Sequence, residues 1–363
     1  MRLFVYLFPL FIVAACSRPG PDTTPVQTLQ EVHVVQLSRP PGHTIDAYDA
    51  AELFSRGNRS LETGDCENAL SHYQQLCNEF PESEYISPAR YNTGICLDEL
   101  GHFEEAVVIY QALLEQLPES SDLKDTLFRL AGSLEQLSRW EDMISTLDQL
   151  ASHDALLSPV DRVEIRARKG AALMELNRPE LARIELEYAI GVFTHDSSIS
   201  QTAPDYYYAM AQFKLAELIH AEMRQVALPA DDSMLGEILE KKCQRLLDAQ
   251  YLYTQVIRIG HPHWSGAAAY RTGALYHHLW QDMLAAPPPA ALSAEERDMY
   301  TEVLRKRIRI LLEKAVKQWR RTLKFAVRLQ LDNDWITKTR QDLEEIEATL
   351  NIESQVGADL AIE

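Results

Sequence analysis

The chain has 363 residues, is 46% hydrophobic and 25% charged, and carries a formal net charge of -19. That hydrophobic share is ample for packed cores, and with only 14 glycines the helix formers dominate, so an all-α fold is expected. An acidic surface of this kind repels nucleic acid and bulk anionic lipid, which excludes both as general partners.

The chain opens with Arg2, a minimal positive region, followed by an apolar run from Leu3 to Ala14 that ends in Val13-Ala14-Ala15-Cys16. This is the layout of a signal peptide, and twelve apolar residues are too few to span a bilayer. Small residues before a cysteine resemble a bacterial lipobox. The resemblance implies that residues 1–15 are removed, that Cys16 carries diacylglycerol and a further acyl chain such as palmitate, and that the protein is anchored in a membrane. Ser17 in place of Asp implies the periplasmic face of the outer membrane. An ordinary secretory signal cut elsewhere is the alternative. Residues 16–44 hold Pro19, Pro21, Pro25, Pro40 and Pro41 among Ser, Thr and Gln and read as a tether, with a flexible end-to-end distance of about 30 Å. In the alternative reading, Val32, Val34 and Leu37 form a strand or dock on the helices C-terminal to them.

From residue 45 the pattern becomes periodic. Gly57, Gly64, Ala69, Tyr73 and Pro81 return 37 residues later as Gly94, Gly101, Ala106, Tyr110 and Pro118. Matches at one offset mark an internal repeat, and repeats of this length stack as solenoids. Within one unit, Ala50 to Thr63 reads as helix A, Gly64-Asp65 as a turn, Glu67 to Glu79 as helix B, and Pro81 as the stop. Gly57 and Ala69 are small where two antiparallel helices approach. Tyr73, four residues after Ala69, fills the space beside the crossing.

These spacings resemble the tetratricopeptide repeat family over about Ala50 to Phe193. A third unit places Ala131, Ser138, Met143 and Leu147 at the signature positions, and a fourth places Gly170, Asn177, Ala182, Leu186 and Ala189 there. Residues 81–85 lengthen the usual unit of about 34 residues, which looks like the repeat proteins of β-barrel assembly and of the Tol-Pal system. Beyond residue 200, helices are expected over Pro204 to Arg224, Leu235 to Ile259, Trp264 to Leu284 and Ser293 to Leu329, with a capping helix over Asp332 to Leu350. The string from Gly260 to Trp264, Pro287 to Pro289 and the long charged helix are similar to C-terminal regions of repeat lipoproteins linked to outer-membrane gliding machinery. The expected organisation is thus a repeat array of about four units over 45–195, a divergent helical region over 196–350 and a disordered tail over 351–363.

By resemblance, helix A lines a concave binding face. Its exposed positions are Phe54, Asn58 and Glu62, then Tyr91, Asp98 and Glu99, then Phe128, Glu135 and Gln136. Phe54, Tyr91 and Phe128 stand 37 residues apart and form either an aromatic rung beside an acidic one or packing between repeats. Envelope proteins or peptide segments with basic and apolar residues would complement such a face.

One segment opposes the acidic trend. Ten Lys and Arg residues lie between Arg305 and Arg328, among them Arg309, Lys317, Arg320 and Arg321, against Glu313 alone. Either the acidic end, with Asp342, Glu344, Glu345 and Glu347, neutralises this helix, or it meets lipid phosphates, anionic glycan or an acidic protein. Cys66, Cys77, Cys96 and Cys243 come after Cys16. Cys77 and Cys96 stand on neighbouring helices and form a disulfide in an oxidising compartment or remain buried thiols.

No phosphate-cradling glycine loop, His-Glu-x-x-His, Cys-x-x-Cys or Gly-x-Ser-x-Gly occurs, so no enzyme, cofactor or metal is expected. The nearest to a metal cluster is His261, His263, His277, His278 and Asp282. The expected function is a lipid-anchored periplasmic scaffold for protein interactions in a motility or outer-membrane machine. A peptidoglycan or glycan-binding module is the alternative.

Overall fold

The computed structural model describes residues 49–116, 122–196, 198–199, 205–230 and 232–359, so Cys16, the leader, the tether and the last four residues lie outside the described part. Every regular element in it is helical, thirteen α-helices and one short 3-10 turn at Asp154–Leu156. By its internal contacts the chain divides after Gly101 into two compact units.

The first unit holds α1 (Ala50–Glu62), α2 (Cys66–Glu79) and α3 (Ile86–Glu99). Asp49 caps α1 by accepting from the Glu52 N–H at 2.7 Å, and Asp65 caps α2 through the Asn68 N–H at 3.2 Å. Between them Gly64 takes φ 77, the left-handed conformation that reverses the chain within two residues. A Cβ at Gly57 would overlap the Tyr73 ring, so the small residue of α1 and the aromatic of α2 meet as the repeat pattern requires. Leu53, Ala69, Tyr73, Leu76 and Ala89 are fully buried around that contact. Truncating a buried aromatic such as Tyr73 costs about 3 to 5 kcal/mol.

The second unit begins with α4 (Phe103–Gln116) and continues in hairpins. α5 (Leu123–Gln136) pairs with α6 (Trp140–Ser152), and α7 (Pro159–Glu175) with α8 (Pro179–His195). Ser138 and Asn177 stand where Gly64 and Gly101 stand in the first unit, and both take the same left-handed turn, φ 56 and φ 55. Pro159 opens α7 behind a capping box of Ser158 and Asp161. At the α7–α8 crossing a Cβ on Gly170 would overlap Leu186.

Longer hairpins come next, α9 (Tyr206–Gln225) with α10 (Asp232–Ile259) and α11 (Pro262–Ala285) with α12 (Ala294–Leu329). Gly273 of α11 stands against Trp319 of α12 as Gly57 stands against Tyr73, and the Trp319 indole donates to the Tyr270 carbonyl at 2.9 Å. A capping box of Ser293 and Glu296 starts α12. The last helix, α13 (Asp334–Asp359), buries Ile336, Leu343 and Ile346. It runs past Leu350 into the expected disordered tail, since one glycine, Gly357, weakens a helix by about 1 kcal/mol without ending it.

Candidate interaction surfaces

The helix A positions divide into three kinds. Phe54 is a core residue, 6% exposed, with its ring 5.2 Å from Tyr85 and 6.2 Å from Tyr73. It therefore does not belong to an open aromatic rung. The cause is the lengthened junction at 81–85, which brings Tyr85 to the start of α3 and onto Phe54. Asn58 and Glu135 are committed inside their own units. The Asn58 carbonyl oxygen accepts from the Tyr73 hydroxyl at 2.7 Å and from the Asn92 amide at 2.9 Å. Glu135 meets the buried Arg168 guanidinium at 3.0 Å, and Glu164 meets it at 3.1 Å. Glu62, Glu99 and Gln136 are exposed, while Tyr91, Asp98 and Phe128 are half-buried.

Of the two states open to Cys77 and Cys96, the structure shows thiols. Cys66, Cys77, Cys96 and Cys243 are free thiols, and Cys96 hydrogen-bonds Cys66, not Cys77. Adjacent helices run antiparallel, so the start of α2 faces the end of α3. Cys77, near the end of α2, is left beside Arg90. Burial pushes the Cys66 and Cys96 thiols up, which keeps them protonated and unreactive.

The most exposed apolar stripe of the repeats was not among the expected sites. On α8, Leu181, Ile184 and Tyr188 are 51%, 61% and 50% exposed, at helical spacing on one face. The opposite face of α8 spends Ala182, Leu186 and Ala189 on the core. Two apolar stripes on one helix of a hairpin cannot both be buried by it, and that was the signal in the sequence. Nearby in the chain, a groove of about 380 Å³ is lined by Tyr208, Gln212, Tyr251, Leu252, Gln255 and Arg258. Tyr251 in it is 64% exposed.

The histidines fall in two places. His261 and His263 pack edge-on or tilted against Tyr206 and Trp264 at the start of α11. His278 instead shares a hydrogen bond of 2.9 Å with His220 of α9, whose other nitrogen lies 3.3 Å from the Tyr253 hydroxyl. Tyr253 donates to Glu217, which also pairs with Arg271 at 2.6 Å. Burial depresses both His220 and His278 to about 3, helped at His220 by His278, Arg271 and Arg224 and at His278 by Arg224, His277, Arg271 and Lys338, so the pair is neutral. Asp282 pairs with Lys242 at 2.9 Å and Arg224 at 3.1 Å. The Lys242 ammonium, 1% exposed, also donates to the Met223 and Val226 carbonyls at 2.7 Å and 2.9 Å, closing the C-terminal end of α9. These groups are a packing staple between α9, α10 and α11.

The basic helix is α12. Arg309 pairs with Glu313 on the same helix, and Arg320 with Glu347 of α13. Asp342 is taken by the Tyr270 hydroxyl at 2.6 Å. Neutralisation of α12 by the acidic end thus amounts, among the described residues, to one ion pair. Arg305, Lys317 and Arg321 are exposed.

The geometry defines helical hairpins closed by a small residue against a bulky one. Residues 48–83 and 88–120 each match the family model of the tetratricopeptide repeat. No curated protein matches the chain. Among solved structures, the chain is similar to a tetratricopeptide repeat protein from Parabacteroides merdae, with 14% identity, 82% of this chain and 98% of that one covered, and a TM-score of 0.41. Pseudomonas aeruginosa PilF shows 14% identity over 71% of this chain and 91% of its own, with a TM-score of 0.42. MamA from Desulfovibrio magneticus RS-1 shows 16% identity over 55% and 96%, with a TM-score of 0.39. Scores of this size carry no functional inference.

Proposed function

We propose that the chain is a non-catalytic scaffold that binds protein or peptide segments on the exposed faces of its helical repeats. Tetratricopeptide repeats serve as protein-interaction modules, and the two matched stretches are the observation that carries the proposal. The exposed stripe Leu181, Ile184 and Tyr188 supports it, since apolar side chains aligned on one helix fit an apolar partner surface. In the first unit Tyr91, Asp98, Glu62 and Glu99 are the proposed contacts, and Phe128 and Gln136 are the proposed contacts in the second. The lipobox-like residues before Cys16 support a lipid anchor in the outer membrane, facing the periplasm. There the scaffold would assemble or stabilise an envelope complex, such as a motility or outer-membrane assembly machine.

The experiment is photocrosslinking in cells, with a photoreactive residue at Ile184 or at Tyr91, followed by mass spectrometry of the adducts. Recurrent protein adducts at these positions are expected. Retention on peptidoglycan with no protein adduct at either position would replace the scaffold with a glycan-binding module. For the anchor, Cys16→Ala is expected to release the protein from membranes. Unchanged processing and membrane association in that variant would sink the lipid-anchor reading.

A further inference from the structure

The outward face of α12 carries cations and bulky apolar side chains together. At about 100° per residue, Met299, Val303, Ile310 and Phe325 fall within one arc of about 120°. Their exposures are 68%, 46%, 52% and 52%, which is unusual for four large apolar groups on one side of a helix. The same arc holds Lys317, Arg321, Lys324 and Arg328, and nearer its start Lys306, which pairs with Glu302, Arg307, and Lys314, which lies over the Tyr276 ring; all are exposed. Between Met299 and Arg328, a length of about 44 Å, it contains one acid, Glu313, which is paired with Arg309. The core-facing side of α12, with Leu312, Ala315 and Trp319, packs on α11, and α13 reaches it beside Arg320, so neither helix covers this arc.

We propose that this face of α12 lies on an anionic lipid surface, with its cations at the phosphates and its apolar side chains at the acyl boundary. A bilayer presents both layers along one approach direction and over the whole length of the helix, which suits a straight stripe of mixed character. An acidic protein would have to alternate acids and apolar groups in register over the same distance. The net charge of -19 does not forbid the contact. Charges more than about 8 Å away are screened at physiological ionic strength, whereas the α12 cations act at contact.

The test is partition of the full-length chain between buffer and vesicles of pure phosphatidylcholine or of phosphatidylcholine with phosphatidylglycerol. Anionic vesicles are expected to bind about tenfold or more tightly than neutral ones, with the preference lost at high salt. A variant with Lys317→Gln, Arg321→Gln, Lys324→Gln and Arg328→Gln should lose most of the preference while keeping its circular dichroism. A second variant, with Met299→Ser, Ile310→Ser and Phe325→Ser, should keep the preference but bind both vesicle types more weakly. Equal binding of the unaltered chain to both vesicles, or an undiminished preference in the charge variant, overturns the proposal. So does loss, in the charge variant, of a protein crosslinked to α12 when no lipid preference exists, which would make an acidic protein the occupant. The anchor is separable, because Cys16→Ala should change binding that is independent of lipid charge and leave the preference intact.

Discussion

The first unit and the α9–α12 region are built on the same contact and secured differently. In both, a glycine on one helix receives a bulky ring from its partner, Gly57 with Tyr73 and Gly273 with Trp319. Around Tyr73 the surroundings are apolar apart from two asparagines, and a single hydroxyl finds its partner in Asn58. Around α9, α10 and α11 the long helices also enclose a lysine, a histidine pair and several carboxylates. The comparison teaches that small-to-large packing sets where two helices cross. Buried polar groups then decide how much the longer hairpins depend on pH and on individual charges.

The sharpest way to break the comparison is Lys242→Met. It leaves Asp282 with a single cation, the Val226 carbonyl without its lysine donor and the Met223 carbonyl with the Val226 N–H alone, and a loss of about 3 to 5 kcal/mol is expected in urea unfolding. A loss below about 1 kcal/mol would show that the staple is ornamental. Next comes pH. His220 and His278 have folded values near 3, below the ordinary 6.5, so the unfolded chain binds more protons between those limits. Their contribution is complete above pH 6.5 and is lost as pH falls toward 3, with an expected loss of several kcal/mol, at most about 5 for each histidine. Replacing both by Gln should flatten that slope, and an unchanged slope would assign it elsewhere.

Gly57→Ala and Gly273→Ala should each cost about 1 to 3 kcal/mol by overpacking. Calorimetry on both variants would show whether one contact serves both regions; a neutral Gly273→Ala would separate them. The smallest effect is a gain. Ser138 occupies a left-handed turn where glycine stands in the matched repeats, so Ser138→Gly should stabilise the α5–α6 hairpin by about 1 kcal/mol. A melting temperature that falls instead would mean that the serine is held by contacts stronger than its strain.

Helices and crossings were legible because their signals are local. Asp49, Ser158 and Ser293 sit at the helix starts, left-handed turns recur after α1, α3, α5 and α7, and small residues stand at fixed distances from bulky ones. What stayed hidden depends on residues distant in sequence. Phe54 is buried because Tyr85 arrives from the next junction, and Glu135 is occupied by Arg168 of the following hairpin. The thiol neighbours are set by helix direction, which brings Cys66 to Cys96 and leaves Cys77 elsewhere. Repeat register says where a residue stands in its unit. It does not say what the neighbouring unit places against it.

Residues 294–307 of α12 include no fully buried residue, with Tyr300, Thr301 and Leu304 half-buried, and only from Ile308 onward does the helix join the core. That first stretch is held by its capping box and by side-chain pairs such as Glu302 with Lys306. Substitution at its exposed positions meets little penalty in folding. The outer half of α12 is consequently free to drift in evolution, trading one recognition chemistry for another while the inner half keeps the same protein folded.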